Sequence, residues 1–119
     1  MDGLSFALND ISIKKIGKEA AHAVRHVMAN DLVKVILYGS CARGDFDSDS
    51  DMDIALITKC DRLEAKKYSD ALAMISTDLA CKYFAIVNFV SIPYEEFQEK
   101  KNWYGYFNNI ESEGVLLYG

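Results

Sequence analysis

The chain has 119 residues, 50% of them apolar and 26% charged, which fits one globular domain over residues 1–119 with one buried core. A net charge of −5 and a pI near 4.9 argue against a domain that grips nucleic acid through its phosphates, so no DNA-groove binding is expected, although a small anion such as a nucleotide can bind at a local site or through a metal ion. The apolar runs are too short to span a bilayer and the N-terminus has no signal-peptide h-region, so a cytoplasmic protein without membrane contact is expected.

In chain order, Asn9 or Asp10 can cap a first helix, whose stripe is Ile11, Ile16, Ala20, Ala23, Val24 and Val27 and which ends near Asn30. Val33 to Tyr38 reads as a short apolar strand stopped by Gly39, and Gly39 to Gly44 as a tight turn with room for one helical turn. Met52 to Thr58 is the second strand. Asp61 can cap the next helix, with Leu63, Ala71, Leu72, Ile75 and Leu79 at roughly helical spacing. A third strand follows at Tyr83 to Ile92, and Pro93 with Glu95 and Glu96 opens a short helix. The segment "NWYGYFNNIESEGVLLYG" predicts a helix closed by Gly114 at its C′ position and a short apolar tail strand. In it Trp103, Tyr104, Tyr106 and Phe107 read as either a partner surface or, for two or three of them, core under the last helix. The expected fold is an α/β sandwich with a mixed sheet and helices mainly on one face.

The chemistry concentrates in "LYGSCARGDFDSDSDMDIALI", residues 37–57. Asp51 and Asp53 are one residue apart at the start of a strand, so both carboxylates point to one face. Paired carboxylates repel unless a cation neutralises them, and hard oxygen ligands suit magnesium or manganese. Gly39 allows a close backbone approach beside that site, and Ser40 can donate its hydroxyl to a bound phosphate. Arg43 fits a triphosphate contact and a surface ion pair with the neighbouring aspartates equally well. A structural reading, an acidic surface loop with no ligand, accounts for Asp45, Asp47 and Asp49. It accounts poorly for two strand-edge carboxylates beside a glycine turn.

Three other motifs fail. Gly39 and Gly44 have P-loop spacing, but Asp45 and Phe46 stand where Lys and Ser/Thr belong. The alternating aspartates imitate an EF-hand loop, yet from Asp45 the required Gly falls on Ser50 and the closing Glu on Leu56. His22 and His26 lack the intervening Glu of a zinc protease. Cys41, Cys60 and Cys81 are odd in number without a C-x-x-C pair, so reduced thiols are expected, and Cys41 reads as a small residue rather than a nucleophile.

Gly39-Ser40, ten intervening residues, then Asp51-Met52-Asp53, with "ARG" inside and Ser50 before the first Asp, resembles the signature of minimal nucleotidyltransferases of the DNA polymerase β superfamily. The resemblance extends over nearly the whole chain. It implies a polymerase β-like fold in which Asp51 and Asp53 hold magnesium on a nucleoside triphosphate, expected to be ATP, Gly39 and Ser40 position the β- and γ-phosphates, and an acceptor hydroxyl attacks the α-phosphorus. Such proteins commonly have a third carboxylate on a following strand. Here Asn88, in "FAIVNFVSIP", aligns with it, so the sequence also admits Glu95 as a substitute acid. The runner-up reading, motivated by Asn88, is a nucleotide-binding or partner-binding module with little turnover. Minimal members are often paired with a HEPN-domain toxin whose tyrosine they adenylylate, which implies a HEPN-type protein partner. Aminoglycoside-type transfer is the lesser enzymatic alternative, and homo-oligomerisation is left open.

Overall fold

Helix α1 (Asp10–Met28) starts where the sequence supplies a reciprocal cap: the Ser12 amide donates to Asn9 Oδ1 at 2.9 Å and the Asn9 amide to Ser12 Oγ at 2.9 Å. The structure is a computed structural model that describes residues 8–47 and 49–119. α1 buries Ile13, Ile16, Ala20, Ala21, Val24 and Met28. Ile11, expected in that stripe, is 80% exposed. Five residues separate it from Ile16, which at about 100° per residue turns it roughly 140° away from the packed face, whereas Ile13 at i−3 takes the place.

Strand β1 (Leu32–Tyr38) leads through the single-turn helix α2 (Ser40–Arg43) to β2 (Met52–Thr58). Asp61 caps α3 (Arg62–Ala65), again through a capping box, here with Glu64. A 3₁₀ turn over Lys66–Tyr68 then separates α3 from α4 (Ser69–Tyr83). That turn resets the helical phase, so Leu63 is 74% exposed instead of joining the Leu72, Ile75 and Leu79 face. Strand β3 (Val87–Pro93) begins later than expected, because Tyr83 still belongs to α4 and Phe84 ends that helix at φ 56°. Helices α5 (Tyr94–Lys100) and α6 (Gly105–Glu113) and strand β4 (Val115–Tyr118) complete the chain.

The four strands order as β3-β2-β1-β4, with β2 parallel to β3 and antiparallel to β1, and β1 antiparallel to β4. The sheet is therefore mixed, as expected. The long helices α1 and α4 cover one face over Val35, Leu37, Met52, Ile54 and Leu56. The short helices α5 and α6 add a thinner layer on the other, where Ile36, Ala55, Ile57 and Ile92 meet Phe97, Phe107 and Ile110. Alternate residues of β1 and β2 supply the two cores, which is why these strands are continuous apolar runs. Among the described residues no helix is long and apolar enough to cross a membrane.

Gly114 follows α6, but its φ is −69° and ψ 152°, so it is not the left-handed stop the sequence suggested. It is required for close packing: a Cβ there would lie 2.4 Å from the Ile110 carbonyl oxygen and 2.4 Å from Ile36 Cγ2. Gly114→Ala is expected to cost about 1–3 kcal/mol through overpacking, read as a lower urea midpoint. An unchanged midpoint would mean that α6 can back off the sheet freely.

Candidate functional site

The site is built at one end of three adjacent strands. Tyr38 closes β1, Asp53 stands opposite it on β2, and Asn88 is opposite Asp53 on β3, so the three form a row across the sheet at about 4.8 Å per strand. By alternation the row faces the α5/α6 layer. Asp51 lies one pleat earlier on the same side. Asn88 Nδ2 donates to Asp51 Oδ2 and to Asp53 Oδ1, each at 3.3 Å. The two carboxylates thus converge on one amide, from the single face that their i, i+2 spacing gives them.

Gly39 adopts φ 78° and ψ −157°, a region essentially reserved for glycine. A Cβ at this position would sit 3.0 Å from Asp53 Oδ2, so the turn lies directly against the carboxylate. The amides of Ala42 and Arg43 donate to the Gly39 carbonyl at 3.1 Å each, closing α2. Ser40 opens that turn, half-buried at the edge of the site.

Arg43 is engaged by two exposed carboxylates. Its Nε lies 3.2 Å from Asp45 Oδ2 and its Nη1 3.6 Å from Glu113 Oε1, and the Asp45 contact first, then Glu113, raises the guanidinium pKa further. Exposed pairs of this kind hold a side chain weakly. Asp47 shapes the preceding loop, accepting from the Asp49 amide at 2.9 Å while its own amide donates to Ser50 Oγ at 3.0 Å. Glu95 stands at the opposite end of the sheet: it follows Pro93, five residues beyond Asn88, a distance of about 17 Å along β3. It cannot replace the missing carboxylate without dismantling the strand. Among the described residues no group of three or more His, Cys, Asp or Glu side chains is gathered to hold a metal ion.

Tyr38, expected only as the end of a strand, and Tyr106, expected as partner surface or core, both belong to this neighbourhood. Their hydroxyls are 2.6 Å apart and their rings meet edge to face at 5.8 Å. Burial, the Tyr106 hydrogen bond and the nearby Asp53 charge together push the Tyr38 phenol far above its ordinary value, so Tyr38 remains protonated and is no proton acceptor. The cross-strand position of Tyr38 was readable from the hairpin register; the contact with Tyr106, 68 residues away, was not. Of Trp103, Tyr104, Tyr106 and Phe107 only Phe107 is buried; the other three are exposed.

Residues 18–111 match the nucleotidyltransferase domain family. The chain belongs to that family. A relative from Methanocaldococcus jannaschii, named as a candidate protein adenylyltransferase, is 32% identical over 105 residues, covering 88% of this chain and 97% of that protein. Two solved structures share the nucleotidyltransferase fold. One is a toxin–antitoxin complex with AMP-PNP (TM-score 0.51, 20% identity, 94% of this chain and 74% of that one). The other is the Shewanella oneidensis tri-AMPylated HEPN toxin with its MNT antitoxin (TM-score 0.50, 15% identity, 89% and 72%).

Cys41 adjoins the site but is buried, with its Sγ 3.5 Å from the Asp51 carbonyl oxygen. Burial, then the Asp53 charge, raises its thiol pKa. Burial, then Asp31, does the same for Cys60, while Cys81 is exposed. Native protein is expected to form one mixed disulfide with an aromatic disulfide reagent rapidly, releasing one equivalent of aryl thiolate from it, and two more only on unfolding. A fast reaction at Cys41, located by peptide mapping, would show an open site floor.

Proposed function

We propose that this nucleotidyltransferase uses Asp51, Asp53 and Asn88 to transfer AMP from ATP to a hydroxyl on a partner protein. The observation that carries the reading is the convergence of both carboxylates on one amide with the Gly39 turn packed against Asp53. The name of the archaeal relative supports protein adenylylation, and the AMPylated toxin bound to a protein of this fold supports a HEPN-type acceptor.

The donor set fits a magnesium ion, with manganese as an alternative. Asp51 and Asp53 provide hard anionic oxygens, and Asn88 can turn its amide so that Oδ1 replaces Nδ2 in facing them, adding a neutral third oxygen. The ion would supply charge neutralisation and polarisation of the α-phosphoryl group. Gly39 lets the β- and γ-phosphates approach the backbone, Ser40 donates its hydroxyl to them, and Arg43 can exchange its weak surface pairs for the phosphate tail. The acceptor oxygen forms a bond to the α-phosphorus, the bond from that phosphorus to the α–β bridging oxygen breaks, and pyrophosphate leaves. Asn88 takes up no proton at neutral pH and the Tyr38 phenol is held protonated, so the acceptor's proton passes to a base carried by the substrate or partner.

Calorimetric titration with ATP tests the site. Binding that requires magnesium and weakens at least about tenfold, about 1.4 kcal/mol, in the Asp51→Asn, Asp53→Asn double variant is expected. Equal binding by both proteins would sink the assignment. The uncharged Asn88 favours one rival, a module that holds nucleotide and partner without turnover. Detection of adenylylated partner by mass spectrometry, lost in the double variant, decides against it.

Asn88→Asp places a third negative charge on the row. With divalent cations chelated, its melting temperature is expected to fall by about 3–5 °C, and magnesium is expected to restore it. A variant as stable as wild type in chelator would show that Asp51 and Asp53 do not face position 88 in solution.

A further inference from the structure

Beside the carboxylate row, on the same sheet face, lies a cavity of about 350 Å³. Its walls are Val90 and Ile92 from β3 and Trp103, Tyr104, Tyr106 and Phe107 from the start of α6 and the turn before it; Arg62, Glu96 and Lys100 also line it. Two features connect it with the row. Val90 follows Asn88 by two residues, a step of about 7 Å along the same face. Tyr106 forms part of the wall while its hydroxyl bonds Tyr38, the residue paired with Asp53.

The wall is an aromatic platform left open. Trp103 is 68% exposed although its Nε1 is satisfied by the Glu99 carbonyl at 3.2 Å, so the indole face, not its polar edge, is what remains available. Tyr104 packs edge to face on Phe107, with centroids 4.9 Å apart, and 6.3 Å from both Trp103 and Tyr106. This fixes the platform from below. Flat aromatic faces bordered by charged groups suit a flat, polar-edged heterocycle. A larger cavity also borders β3 and reaches the edge of Asn88, but its remaining β3 wall is Val87, Phe89 and Ser91, which alternate with Asn88 and Val90, and its other side is α4 rather than an aromatic platform.

We infer that the Trp103–Tyr104–Tyr106 cavity receives the nucleobase of the donor nucleoside triphosphate, with the ribose bridging past Val90 to phosphates at Asp51, Asp53 and Gly39. This rests on the nucleotide-transfer reading of the carboxylate row and adds the residues that would hold the base. Stacking is sequence-tolerant, so the platform supplies affinity for any base, and the ionised Glu96, paired with Arg62, supplies an acceptor at the cavity for a ring N–H or amino group.

Trp103 is the only tryptophan of the chain, so its fluorescence reports the cavity directly. Full-length protein is titrated with ATP and, separately, with inorganic tripolyphosphate, both with magnesium. Saturable quenching by ATP alone is expected. By calorimetry Trp103→Ala and Tyr104→Leu each weaken ATP about tenfold while leaving tripolyphosphate within about twofold, as expected for loss of a stacking face. Trp103 is exposed, and circular dichroism confirms that each variant is folded. If wild type binds ATP through Asp51 and Asp53 but neither variant changes the affinity, the base lies elsewhere and the inference fails while the site assignment stands. Loss of tripolyphosphate and ATP binding together in the aromatic variants would make the patch a structural support, overturning the inference. If wild type binds neither ligand, the nucleotide reading itself fails and takes this inference with it.

Discussion

Asp51 and Asp53 are positioned by the strand that follows them. Ile54, Ala55, Leu56, Ile57 and Thr58 are buried almost completely on both faces of the sheet, and the strand is hydrogen-bonded to β1 on one side and β3 on the other. A slip of one residue would drive the Asp53 carboxylate into the layer beneath α1 and α4 and bring Ile54 out of it. Each large aliphatic displaced would forfeit about 1.5–3 kcal/mol, and an unpaired buried carboxylate costs more. The hydrophobic half of β2 therefore sets the geometry of its charged half.

Given that fixed pair of like charges, the neighbouring groups are those that tolerate or offset them. Asn88 places two N–H protons between the carboxylates and brings no charge of its own. Gly39 presents backbone where any side chain would meet Asp53 Oδ2. Cys41, buried, and Tyr38, half-buried, hold their protons more tightly than usual near the same charges. For both, burial is the largest cause and the Asp53 charge adds to it.

What could be read from the sequence was what is local. The Gly39-Ser40 turn, the alternation of Asp51 and Asp53, and the apolar run after them depend on a few adjacent residues and a period of two. Caps at Asn9 and Asp61 were legible for the same reason. Errors arose where distant packing decides. Ile11 has the right chemistry for a core stripe but the wrong angle from Ile16. Leu63 is separated from its expected partners by the 3₁₀ turn at Lys66–Tyr68. Tyr83 has strand-forming character, yet its hydroxyl bonds Glu19 of α1 and it ends α4. The short helical layer on the second face follows from α5 and α6 folding back over Ile36 and Ile57, a contact no local pattern encodes.

Gly114 links that back-folding to the site. Because it carries no side chain, the end of α6 can seat against Ile36, and β4 then pairs with β1 through Val115 and Leu116. With its C-terminal end held there, α6 runs over the same face as Asp53, and its first turn brings Tyr106 to Tyr38. The aromatic wall beside the carboxylates is thus fixed at two points: Gly114 against β1 at one end of the helix and a hydroxyl pair at the other. Residues far apart in the chain meet because the smallest side chain permits a close approach and the two phenols complete it.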